Sequence, residues 1–157
     1  MDTNPLLMLV TVPIAAGFIA IAATDRFKTA AKLLAVIVTT ACLAGSVSVF
    51  IRKPLIWYYG DAAIFRVDNL SAFIGMAVCL FAFLITIYSL SSVERSFGRY
   101  FGYLLMTLGA SLGVLFANNF IVMLVFWGFL AVMLYLLVNL EGTKEASLSG
   151  RKAAANE

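Results

Sequence analysis

A chain of 157 residues that is 63% apolar and 12% charged, with a mean hydropathy of +1.02, is not a water-soluble domain. At ~20 residues for each ~30 Å crossing it has room for several membrane spans and little else. The net charge of +3 forms no basic patch interleaved with exposed aromatics, so no nucleic-acid partner is implied, and a chain without histidine or a C-x-x-C pair offers no metal site and implies no cofactor.

The charged residues divide the chain, falling at Asp2, 25–32, 52–68, 94–99 and 141–157. The first uncharged gap predicts a helix over about 4–24. Its opening residues, MDTNP, lack a basic n-region, which favours a retained helix over a cleaved signal, and Pro13 inside it is tolerable as a packing kink in a membrane helix. The second gap predicts a helix over about 31–51, with Cys42 as a small apolar side chain and Ala41 and Gly45 as a small-residue packing face. After a connecting loop the third helix runs over about 69–91, capped by Asp68 or Asn69 and containing Cys79. The last uncharged stretch, 100–140, is too long for one span. It divides at Ala117-Asn118-Asn119, because paired asparagines suit an interfacial turn and not lipid, giving helices over about 100–117 and 120–140. Gly109-Ala-Ser-Leu-Gly113 marks a second packing face, and residues 141–157 form a polar cytoplasmic tail, either a short interfacial helix or frayed.

The expected fold is therefore an all-α integral membrane bundle of about five transmembrane helices. Eight basic residues fall on the side of 25–32, 94–99 and the tail, against Arg52, Lys53 and Arg66 on the other. This bias places the N-terminus outside and the C-terminus in the cytoplasm.

Proton relays use Asp, Glu, Lys or His inside the spans, and transporter sites use paired broken helices; the predicted spans contain neither. Without a base no nucleophile site is expected, so the chain is not read as an enzyme in its own right. Hydroxyl groups remain, with two readings: bonding between helices, or, for Thr86, Ser111 and Tyr135, the lining of a hydrated path whose titratable groups come from another chain.

One ordered set of motifs goes further. Trp57 to Tyr59 precede an Asp68-Asn69-Leu70-Ser71 helix entry, the helix ends in Tyr88-Ser89, and Gly109 to Gly113, Asn118-Asn119 and Phe126-Trp127 follow. Over about residues 55–140 the sequence resembles the early helices of the antiporter-like membrane subunits of respiratory complex I, membrane-bound hydrogenases and multisubunit sodium/proton antiporters. The resemblance singles out Asp68, Ser71, Tyr88, Trp127 and Gly128 as family-motif positions. Where the family carries a glutamate implied in proton translocation, this chain has Gly128, and the later helices that bring intramembrane lysines in such subunits are not represented.

The resemblance thus implies a short or split antiporter-like subunit of an energy-converting complex in the cell (inner) membrane. Such a complex would couple electron transfer to proton or sodium movement. The chain itself would be mainly structural and dependent on other membrane subunits and the lipid bilayer. The alternative is a stand-alone, self-associating membrane protein acting as a channel or scaffold.

Overall fold

The computed structural model describes residues 5–22, 28–52, 55–59, 62–92 and 97–154, with no side-chain description for residues 28, 55, 57–59, 62, 92 and 141–154. The elements are α1 (Pro5–Ala22), α2 (Lys28–Arg52), β1 (Leu55–Tyr59), β2 (Ala62–Val67), α3 (Asn69–Ser92), α4 (Phe97–Phe116) and α5 (Phe120–Ala154). Each helix contains a stretch long and apolar enough to cross a membrane. Residues 1–4, and Arg26, Lys53 and Arg95 among the basic residues that set the orientation, lie outside the described residues.

Three boundaries differ from the sequence reading. Helix α2 begins at Lys28, about a turn before the expected start at 31. Helix α4 begins at Phe97, which brings Gly98 into the packed bundle. Helix α5 continues to Ala154, through most of the stretch read as a tail. The expected loop between α2 and α3 is instead an antiparallel hairpin, with Leu55 opposite Val67 and Trp57 opposite Phe65, and a register shift after Trp57. Its alternation of apolar and β-branched or aromatic residues is the ordinary strand signal, masked in the sequence by the charges around it.

Helix α4 is the centre of the bundle: 61% of its span is buried, against 28–39% for α1, α2 and α3 and 6% for α5. Its tightest partner is α1, which runs antiparallel to it, with Ala20 beside Gly98 and Val10 beside Gly109. A Cβ at Gly98 would lie 2.6 Å from the Ala20 carbonyl oxygen. One at Gly109 would lie 2.8 Å from that of Val10, and one at Gly17 would lie 2.7 Å from that of Gly102. Only hydrogen in place of a side chain allows the two backbones this close. In lipid, where apolar surface gains little by leaving its solvent, such backbone approach is what drives helix association.

The two small-residue motifs of the sequence divide differently from expectation. Gly109 packs on α1, while the ring of Phe126 in α5 fills the space beside Gly113. At Gly45 a Cβ would meet only Leu9, at an ordinary 3.5 Å, so Ala41 and Gly45 serve no close helix contact; with Pro5, Met8, Leu9, Val12 and Cys42 they line an apolar groove of about 260 Å³ between α1 and α2.

Gly102→Val is expected to destabilise the bundle by about 1–3 kcal/mol or more, as overpacking against a backbone that cannot yield. Gly45→Ala is expected to be near neutral. Reversible unfolding of the purified protein in mixed micelles, followed by tryptophan fluorescence, separates the two.

Candidate functional site

At the hairpin end, Asp68 closes the N-terminus of α3. The Ser71 backbone N–H donates to its carboxylate at 2.8 Å, the Ser71 hydroxyl donates at 2.8 Å, and the Asp68 N–H donates in turn to the Ser71 hydroxyl at 2.9 Å. This is a reciprocal cap built on the third residue after the Asp. The Ser71 N–H, and then its hydroxyl, hold the exposed Asp68 carboxyl below its ordinary 3.8.

The asparagine turn is tied to the hairpin. The Asn118 N–H donates to the Ile64 carbonyl at 2.8 Å, its side-chain amide to the Ala63 carbonyl at 3.1 Å, and Ala117 forms a bridge with Phe65. The Asn119 side chain then accepts from the Ile121 N–H and caps α5. Thus β2 is paired on both edges. The Phe126 ring lies 6.0 Å from that of Phe65, wedged between the hairpin and Gly113.

The opposite end carries a second polar cluster, absent from the sequence reading. The Lys32 ammonium donates to the Leu90 carbonyl in the last turn of α3 at 2.8 Å and lies 4.5 Å from the centre of the Phe97 ring at the start of α4. Beside it the Ser89 and Tyr100 hydroxyls share a 2.8 Å hydrogen bond between α3 and α4. No local pattern announces these contacts, because Lys32 and Leu90 are 58 residues apart in the chain. The matching Gly98-x-x-x-Gly102 motif, by contrast, is legible in the sequence and had the same spacing as Gly109 to Gly113.

The remaining motif positions do not converge. Tyr88 is exposed, and its neighbour Ser89 is the one that turns inward. Thr86 is fully buried and donates to the Ala82 carbonyl of its own helix, as Ser111 does to that of Thr107. Thr39, Thr40 and Thr107 follow the same rule and return their hydroxyls to carbonyls one turn back, whereas the Ser89 and Tyr100 hydroxyls bond across two helices. Trp127 and Tyr135 are 61% and 68% exposed, and a Cβ on Gly128 would meet nothing within 4 Å. Helix α5 therefore turns Phe126 into the bundle and Trp127, Gly128 and Tyr135 out of it. No group of three or more metal-ligating side chains occurs among the described residues.

Because the Asp68 carboxyl is held below its ordinary range, the cap's ionic contribution is present above pH 3.8 and is lost as the pH falls through the lower folded-state value. Asp68→Asn is expected to remove this pH dependence while keeping an acceptor for the Ser71 N–H; thermal unfolding of both forms between pH 3 and 7 reads it. Tyr100→Phe is expected to cost about 0.6 kcal/mol, the usual worth of a hydroxyl bond between membrane helices, and to show no further loss when combined with Ser89→Ala.

No family model matches the chain. It is 31% identical over 85 residues to Na(+)/H(+) antiporter subunit A1 of Staphylococcus haemolyticus (strain JCSC1435), covering 53% of this chain and 11% of that protein. It is 27% identical over 104 residues to the subunit of the same name from Staphylococcus aureus (strain JH9), covering 64% of this chain and 13% of that protein. The chain thus spans only about a tenth of the length of the curated relatives it matches. Taken with five helices long and apolar enough to cross a membrane, these matches describe a multi-pass membrane protein similar, over 53–64% of its length, to Na(+)/H(+) antiporter subunits of that name.

Proposed function

We propose that the chain is a mainly structural, antiporter-like component of a multisubunit, cation-translocating assembly in the cell (inner) membrane, with its N-terminus outside. The outward face of α5 carries this reading. Trp127, Gly128 and Tyr135 stand exposed where the resemblance implies a proton-handling glutamate after the tryptophan. Glycine cannot take up or release a proton, so the position retains shape without charge. The Trp127 N–H and the Tyr135 hydroxyl have no partner among the described residues. Two polar tips and an open notch on an otherwise apolar face suit a neighbouring helix that brings acceptors.

Thr86 and Ser111, which give their protons to their own helices, support a sealing and positioning role over direct conduction. The relatives carry the name of Na(+)/H(+) antiporter subunits, which favours cation/proton exchange over coupling to electron transfer as the work of the assembly. Titratable groups would come from the partner chains. The basic residues, eight against three, support the orientation.

The test is isolation of the full chain from native membranes in mild detergent, with mass spectrometry of what accompanies it. Long multi-span partners with intramembrane lysine or glutamate are the expected result. A homogeneous small oligomer of this chain alone would overturn the proposal and favour a self-associating channel or scaffold. Gly128→Trp sharpens the outcome: with open space around that position, the isolated chain is expected to fold as before while co-purification of the partners is lost.

A further inference from the structure

We propose that Cys42 of α2 and Cys79 of α3 form a redox clasp, in which a lipid hydroperoxide oxidises Cys42 and Cys79 closes the disulfide that ties the two helices at mid-span. The register sets the two thiols against each other. Helices α2 and α3 are the arms of the hairpin, which fixes them at one end with Leu55 opposite Val67, and at the other end Lys32 reaches the Leu90 carbonyl. Cys42 is thirteen residues from Leu55 and Cys79 is twelve from Val67; from Lys32 and Leu90 the separations are ten and eleven. Counted from either end, the cysteines are therefore level to within one residue, about 1.5 Å of helix rise.

Both side chains belong to the buried seam. Cys42 continues the line of Ala35, Val38 and Val49 on α2, and Cys79 sits between Ala72 and Ala82 on α3, all in one apolar cluster. The two thiols are free, they interact electrostatically, and the Ser46 hydroxyl, one turn on from Cys42, reaches the Cys79 thiol. The backbones of α2 and α3 come within 8 Å of each other along their contact. That is near the ~4.4–6.8 Å between Cα atoms that a disulfide spans.

Access separates the roles of the two. Cys42 also lines the apolar groove between α1 and α2, whose rim residues Met8 and Val12 are 47% and 43% exposed, whereas Cys79 is fully buried. An apolar groove admits an oxidant carried on an acyl chain. The Cys42 sulfur attacks the outer oxygen of the hydroperoxide; an S–O bond forms, the O–O bond breaks, and the thiol proton leaves with the lipid as its alcohol. Cys42 is then a sulfenic acid. The Cys79 sulfur displaces its oxygen, which departs with the Cys79 proton as water, so two thiols have lost two electrons to one hydroperoxide. Because the thiolate is the stronger nucleophile, thiols in apolar surroundings react slowly, and the clasp answers sustained oxidation of the bilayer.

The full chain in phosphatidylcholine nanodiscs would be exposed to linoleic acid hydroperoxide, then read by intact mass and by thiol titration after denaturation. It is expected to lose the mass of two hydrogens and both titratable thiols, to regain them with a membrane-permeant dithiol, and to unfold at a higher temperature when oxidised. Cys79→Ala is expected to stop at the Cys42 sulfenic acid, trapped by dimedone, and Cys42→Ala to leave Cys79 a thiol. Should these variants fail to fold, dimedone added to the unaltered chain during oxidation is expected to label Cys42 and not Cys79. Two intact thiols after oxidation, dimedone on Cys79, or disulfide-linked dimers in place of the internal bridge would overturn the proposal. So would an oxidised form that unfolds at the temperature of the reduced one.

Discussion

At Gly17 and Gly102 the backbones of α1 and α4 approach until each blocks the other's missing Cβ, and Gly98 and Gly109 extend the same contact along the helices. The rest of the bundle is arranged around that seam. Lipid takes away the hydrophobic drive that assembles soluble helices, and single hydroxyl bonds are worth only about 0.6 kcal/mol, so close packing is the term with enough weight to fix a partner. Once α1 lies on α4, the sides of α4 left over receive α2, α3 and the Phe126 ring of α5. That is why α4, the least apolar of the five spans, is the most buried.

The polar groups then work at the two ends, where the backbone leaves its helices and must find partners. At the hairpin end, β2 takes β1 on one edge and the Asn118 turn on the other, so the α4–α5 turn is fixed by the preceding hairpin and not by its own sequence alone. At the other end Lys32 joins the close of α3 to the start of α4. Both arrangements bring together segments distant in the chain. They hold the ends of helices whose middles are joined by packing.

Helix α5 packs on α4 along one side, with Val122, Phe126 and Met133 turned toward the bundle, yet keeps only 6% of its span buried. The side turned away from α4 is left as a surface. The Phe126-Trp127-Gly128 run expresses the division in three consecutive residues, the first wedged inward beside Gly113 and the next two open. With glycine where the resemblance implies an acid, that surface has shape and two polar tips.

Much of this was written in the sequence. Composition and the spacing of charged residues determined a membrane protein with five helices, because a ~30 Å apolar slab admits only long uncharged stretches whose backbone is satisfied internally. Asp68 with Ser71 three residues on could be read as a helix start, since a cap is local. What tertiary structure decided was which residues meet. Gly109 and Gly113 are one motif in sequence and have two different partners in space. Ala41 and Gly45 have the same spacing, yet at Gly45 only the Leu9 side chain comes near, at an ordinary distance. The strand pairing of residues 55–67, the Lys32 cluster and the outward turn of Trp127 and Gly128 likewise depend on neighbours brought from elsewhere in the chain. Periodicity fixes which face a residue occupies on its own helix, but what lies opposite that face is settled only when the helices pack.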